Sequence, residues 1–164
     1  VRKLGVPGHE ELAMGAIASG GVCVISDDVV AALGIPERAI ATIAAHEEHE
    51  LERRNQLYRG DRPPPDVRGK TVILVDDGLA TGSTMRAAVA ALKAQGPERL
   101  VVAVPVAAPE TCEALSREVD EVVCARAPER FFAVGNWYVD FSQTSDAEVR
   151  GLLRRAWETA AQAP

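Results

Sequence analysis

From Thr71 onward, short apolar runs take turns with longer stretches in which apolar residues recur at helical spacing. Thr71–Val75, Leu100–Ala107 and Glu121–Ala125 read as strands, and Ser83–Gln95, Pro109–Val119 and Ala147–Ala161 as helices. Alternation of this kind predicts an α/β fold whose mainly parallel central sheet is flanked by helices. The first third of the chain is patterned differently. Val1–Gly5 reads as the end of a strand, and Leu12–Ser19 with Gly21–Ser26 as a hairpin turning about Gly20 and Gly21. Asp28–Leu33 makes a helical turn. Pro36–Tyr58 spaces Ile40, Ile43, Ala44, Leu51 and Leu57 as a helix would, while its second half, His46–Arg54, is almost wholly charged and predicts a solvated face. Pro63, Pro64 and Pro65 stop any helix from continuing, so Arg59–Arg68 is expected to be an exposed connection into the strand at Thr71.

At 164 residues and 47% hydrophobic, the chain can bury one sizeable core, and a single domain over 1–164 is expected. No repeat or linker divides it; only the polar-aromatic segment Phe131–Gln143 stands out as a small appended hood. There is no run of about 18 apolar residues and no secretory pattern at the N-terminus, so the expectation is a cytoplasmic protein with no membrane partner. Cys23, Cys112 and Cys124 are odd in number, far apart and set among apolar residues, which predicts reduced, buried thiols. A formal charge of −6 argues against the broad basic face that nucleic acid requires. His46 and His49 are three apart, where a His-Glu-x-x-His zinc helix separates them by four. With no third ligand evident, they are read as part of the solvated face, and no protein metal ligand is assigned.

The chemistry concentrates in Thr71–Met85, where a buried strand ends in two carboxylates and passes through a loop of small residues into a helix. The first N–H groups of a helix lack intrahelical partners and the helix dipole favours negative charge, so a phosphate satisfies several of them together. Gly78 and Gly82 allow close backbone approach, and Thr81, Ser83 and Thr84 add hydroxyl donors. Asp76 and Asp77 are acceptors suited to the neighbouring hydroxyls of a sugar. Phosphate and vicinal diol together describe a ribose 5-phosphate.

Val72–Met85, with four apolar residues, two acids and then small and hydroxyl residues, resembles the phosphoribosyl-pyrophosphate (PRPP) motif of the type I phosphoribosyltransferases. The resemblance extends over Val1–Val123 and implies that family's three-layer α/β fold with a flexible hairpin or loop. It gives Asp76 and Asp77 the ribose 2′- and 3′-hydroxyls, and Ala80, Thr81, Gly82, Ser83 and Thr84 the 5′-phosphate. Ala80 stands where 6-oxopurine enzymes carry a third acid, so the loop looks most like the adenine type. Arg2-Lys3 resembles a basic pair near pyrophosphate and makes Lys3 a candidate contact. Ala45–Arg68 occupies the place of the loop that closes over the reaction, with Arg54 and Arg59 as candidates to reach pyrophosphate. The competing reading makes these arginines surface partners of the glutamates before them. Trp137 and Tyr138, clustered with Phe132 and Phe141, offer either a stacking surface for a base or hydrophobic core, and Asp140 is placed to meet an acceptor amine.

The family also places a pyrophosphate loop upstream of the basic pair. No residues stand before Val1 to supply it, so the domain is expected to be N-terminally incomplete. The reaction implied by the resemblance transfers the 5-phosphoribosyl group from PRPP to a nitrogenous base, with Mg²⁺ stabilising the departing pyrophosphate. A non-catalytic PRPP- or nucleotide-binding regulator is the alternative, and analogy with the family adds a homodimer.

Overall fold

The structure, a computed structural model, describes residues 1–162; the last two residues of the expected 1–164 domain lie outside the described residues. Two three-stranded sheets carry the fold. The first is antiparallel, β1 (Arg2–Val6), β2 (His9–Ala18) and β3 (Val22–Ile25), and is followed by helices α1 (Asp27–Leu33) and α2 (Glu37–Arg59). The second is parallel, in the order β4 (Thr71–Val75), β5 (Arg99–Val106), β6 (Glu121–Arg126). Its crossovers are α3 (Ser83–Lys93) and α4 (Pro109–Ser116), and α5 (Asp146–Gln162) ends the described chain.

The expected hairpin forms, with Ala18 opposite Val22 and the turn made by residues 19–21. Gly20 and Gly21 take φ of 88° and 76°, a region open to glycine at little cost. α1 closes on Gly34, whose left-handed backbone lets its N–H and that of Ile35 donate to the carbonyls of Ala31 and Val30. Pro36 then starts α2, which runs for 23 residues without a break. Residues 45–59 are therefore helical, and only residues 60–70 remain irregular where the family resemblance had led us to expect a closing loop. The charges of that half explain why. Glu50 accepts hydrogen bonds from Arg53 and Arg54 one turn on, stitching the helix along its solvated side.

Two apolar clusters result. Leu4, Val6, Met14, Ile17 and Ile35 pack beneath Ile40 and Ile43 of α2. Leu79, Met85, Val89, Leu100, Val102, Val104 and Leu115 fill the space between the parallel sheet and α3 with α4. α3 also packs on β2 and β3, so it lies between the two sheets, and Ala87 in its middle is fully buried. The opposite face of the parallel sheet carries Ile73 and Val75, which are 59% and 73% exposed.

The cysteines depart from expectation. All three are free, but Cys23 is exposed on the short edge strand β3, where alternation turns it away from the core, and Cys112 and Cys124 are only half-buried. Those two lie close to each other. Burial, followed by a hydrogen bond to Cys124, pushes the Cys112 thiol up to about 11.

Leu115 is fully buried and reaches from α4 to the loop before α3. Leu115→Ala is expected to cost about 2–5 kcal/mol in a urea melt, the usual range for a leucine cavity that cannot collapse.

Candidate functional site

β4 ends at Val75, and Asp76, Asp77 and the loop to α3 open directly onto a cleft of about 520 Å³. The cleft is lined by residues 76–85 together with Lys3, Val134 and Phe141. All seven sequence-predicted residues from β4 to α3, namely Asp76, Asp77, Ala80, Thr81, Gly82, Ser83 and Thr84, meet there, and Lys3 reaches the same space from β1.

The loop keeps its shape through contacts outside itself. Leu79, only 2% exposed, donates its N–H to Val106 O at 3.0 Å, and its carbonyl accepts from Ala108 N at 2.9 Å. This extends the parallel ladder by one isolated bridge, Leu79 to Ala107. Thr111 of α4 donates its hydroxyl to the Ala80 carbonyl. Gly82 is the N-cap of α3, with φ 72° and no side-chain cap. The first N–H groups of α3 thus face the cleft end of the helix without a side chain to satisfy them, and the Thr81 and Ser83 hydroxyls lie 3.2 Å apart beside them. A Cβ on Gly82 would come within 2.8 Å of the Thr111 methyl, so both its backbone and its surroundings require glycine.

The two acids differ in setting. Asp76 is half-buried and Asp77 exposed, and Asp76 Oδ1 accepts the Asp77 N–H at 3.0 Å. Burial raises the Asp76 carboxyl above its ordinary value; the Asp77 N–H opposes the rise and the Asp77 charge adds to it. A segment distant in sequence closes the other side. Tyr138 donates its hydroxyl to Asp77 O at 2.6 Å, and its ring stacks at a tilt on Phe141, 5.1 Å between centroids. A Cβ at Gly78 would sit 2.7 Å from Val134, so glycine there lets the hood lie against the loop.

The remaining candidates lie elsewhere. Arg54 donates to Glu50 on α2, and with Arg53 it holds the Glu50 carboxyl down at about 2. Arg59 lines a separate cleft against α5. Neither arginine lines the cleft at Asp76, and the ion-pair reading describes Arg54. Trp137 is 40% exposed and outside the lining, while Phe132 at 81% shows that the aromatic cluster is not core. Asp140 faces solvent and accepts from Ser142 N, which lowers its carboxyl. His46 and His49 are exposed on α2. Sequence reasoning missed Thr111, Val134 and the lining role of Phe141, because no local pattern marks contacts made across 30 residues or more.

Comparison with known proteins places this architecture in a class. The profile of the phosphoribosyl transferase domain matches residues 8–139, and the chain belongs to that family. The Mycobacterium tuberculosis protein named "Putative phosphoribosyl transferase Rv0571c" is 42% identical over 163 residues, 99% of this chain and 37% of its own length. A uracil phosphoribosyltransferase of Lactobacillus gasseri is 30% identical over 105 residues, 64% of this chain and 49% of that protein. The crystal structure of TT1426 from Thermus thermophilus superposes with a TM-score of 0.72 at 39% identity, covering 94% of this chain and 73% of that one. The chain thus spans little more than a third of the Mycobacterium relative and about half of the Lactobacillus one.

Two outcomes test the site's construction. Gly82→Ala is expected to destabilise the chain by about 1–2 kcal/mol, the cost of a left-handed backbone for a residue with Cβ, read as a lower urea midpoint. The raised Asp76 carboxyl means that the folded chain holds a proton where the unfolded chain has released it. Its contribution to stability is therefore present at low pH and falls as pH rises from the ordinary 3.8 through the folded value. Carbon-detected NMR of the Asp76 carboxyl should show a midpoint above 3.8, and Asp76→Asn should remove that slope from the pH–stability curve.

Proposed function

We propose that this domain binds PRPP in the cleft at Asp76–Thr84 and transfers its 5-phosphoribosyl group to a ring nitrogen of a nitrogenous base. The observation that carries this reading is one convergence. Two carboxylates at a strand end and an uncapped helix N-terminus flanked by hydroxyls share a single cleft of about 520 Å³. That pairing matches a sugar diol at one end and a phosphate at the other. Family membership and the uracil-specific names of several relatives support it.

Asp76 and Asp77 hold the ribose hydroxyls, and residues 80–84 hold the 5′-phosphate. With both ends fixed, the anomeric carbon is held in place between leaving group and acceptor, and orientation supplies much of the rate. The C1′–O bond to pyrophosphate breaks, a C1′–N bond forms, and the nitrogen's proton leaves to solvent. Lys3, which lines the cleft from β1, is placed to offset pyrophosphate charge. Magnesium fits this donor set, because the cleft offers hard carboxylate oxygens beside the phosphate cradle. When bound, the ion neutralises charge on the leaving pyrophosphate. Val134 and Phe141 supply the apolar wall against which a base can rest, and Tyr138, anchored to Asp77 O, backs Phe141 from outside the lining.

A second reading has its own observation: among the described residues, Lys3 is the one cation lining the cleft, with Arg54 and Arg59 engaged elsewhere. A regulator that binds PRPP or a nucleotide without turning it over would need no more. Calorimetric titration of Mg²⁺–PRPP should give saturable binding that weakens tenfold or more in Asp76→Asn/Asp77→Asn, with both chains folded by circular dichroism. Pyrophosphate release with uracil or adenine then assigns catalysis; tight binding with no release for any base assigns the regulator. A folded chain that binds neither PRPP nor ribose 5-phosphate would refute the site.

A further inference from the structure

The end of α2 and the helix α5 form a second concave surface, which the ribose-phosphate reading does not use. Tyr58 donates its hydroxyl to Asp146 Oδ1 at 2.6 Å, and Arg53 Nη2 lies 3.7 Å from Asp146 Oδ2, so the start of α5 is tied to α2. Ser145 and Glu148 cap it, the Glu148 N–H donating to the Ser145 hydroxyl at 3.3 Å. Beyond this junction the two helices and the connection after α2 enclose a cleft of about 420 Å³, a volume suited to a small molecule. Arg59 and Arg62 line it from one side, Arg150 and Arg154 from α5, with Tyr58 and Trp157 completing the wall. None of its lining residues lines the cleft at Asp76.

What sets this cleft apart is that four arginines line it together. Arg2, Arg53, Arg54, Arg86, Arg99 and Arg117 each have a carboxylate at ion-pair distance. Arg59, Arg62, Arg150 and Arg154 have none among the described residues; Arg38, Arg68, Arg126, Arg130 and Arg155 share that property, but these four meet in one cleft, on a chain that holds 24 acids against 18 lysines and arginines. Arg150 and Arg154 stand one turn apart on α5, a like-charge spacing that weakens a helix. Arg62 lays its apolar face on Trp157, its guanidinium carbon 3.9 Å from the ring centroid, which fixes the group in the cleft and leaves its N–H edge for a ligand. Four convergent guanidinium groups, each able to grip two phosphate oxygens, call for several linked phosphoryl groups, since one monoanion would leave most of their charge unmatched. A concave pocket on a chain of charge −6 also differs from the extended basic face that follows a nucleic-acid backbone.

We infer that this cleft is a separate binding site for a small oligophosphate, a free molecule bearing two or more linked phosphoryl groups, held by Arg59, Arg62, Arg150 and Arg154. Arg59 and Arg62 flank Gly60, where the irregular connection to β4 begins. A ligand that grips them fixes the near end of that connection and is positioned to influence the strand that carries Asp76 and Asp77.

The chain has two tryptophans, so Trp137→Phe leaves Trp157 as the sole indole reporter. Inorganic tripolyphosphate titrated into that variant should change its fluorescence saturably in the micromolar to low-millimolar range, with affinity falling as salt rises. Arg150→Gln/Arg154→Gln should weaken binding tenfold or more, and Arg59→Gln/Arg62→Gln, an independent pair should the first fail to fold, should do the same. Asp76→Asn/Asp77→Asn should leave it within twofold, which separates this site from the cleft at β4. ATP run in parallel tells whether a nucleoside adds to the phosphates: tighter binding than tripolyphosphate marks a nucleotide ligand, equal binding a bare oligophosphate. The inference is overturned by absence of saturation in a folded chain, by arginine variants that bind unchanged, or by loss of binding in the aspartate variant instead. Tighter capture of a single-stranded oligonucleotide than of tripolyphosphate would reassign the arginines to a nucleic-acid backbone and equally overturn it.

Discussion

A segment that runs from a strand end to a helix start while keeping its N–H groups available to a ligand has few hydrogen bonds of its own to hold its shape. Here the loop after β4 solves that problem by borrowing from its neighbours. The Leu79 side chain is sunk in the parallel-sheet core, its N–H and carbonyl are tied to Val106 and Ala108, and Thr111 holds the next carbonyl. The two aspartates stand just before this anchor and the uncapped start of α3 just after it. Their separation is therefore set by β5 and α4 rather than by the loop itself, and preorganisation of that kind fixes the orientation of whatever a cleft holds.

The same anchoring explains what was legible in the sequence and what was not. Thr71–Val75 could be read as a strand and Ser83 as a helix start because both signals are local: an unbroken apolar run, and small hydroxyl residues before helical spacing. The carboxylates and the loop could be assigned together for the same reason. The hood could not. Val134 meets Gly78, and Tyr138 meets Asp77 O, across more than fifty residues, and only the notch left by a missing Cβ at Gly78 makes room for it. Arg54 and Arg59 show the converse limit, because a charged helical stretch gives the composition of a face without saying what that face meets. Glu50 lies one turn before Arg54 and claims it, while Arg59 falls at the helix end beside α5. Cys23 was misplaced because a short edge strand has one face turned to solvent whatever its hydropathy.

The ion-paired arginines and those of the α2–α5 cleft sit in different electrostatic settings. Arg53, Arg86, Arg99 and Arg117 are neutralised by nearby acids, which keeps the surface mixed in sign and contributes little each to stability. Those around the α2–α5 cleft are not, and they produce a local field of opposite sign to the net charge of the whole. The cleft at β4, by contrast, brings carboxylates and helix N–H groups together, so its own field is mixed in sign.

α3 belongs to both halves of the molecule. Met85 and Val89 fill the parallel-sheet core while the same helix covers β2 and β3, with Ala87 leaving no gap between. A helix wedged in this way cannot loosen from one sheet without uncovering the other, which binds the two sheets into one cooperative unit rather than two that melt in turn. The end of the cleft at the start of α3 is consequently anchored to both sheets. The opposite wall, from residues 131–143, meets the loop differently, through Val134 lying against Gly78 and the Tyr138 hydroxyl donating to Asp77 O, so it is held by side chains where the helix end is held by two sheets.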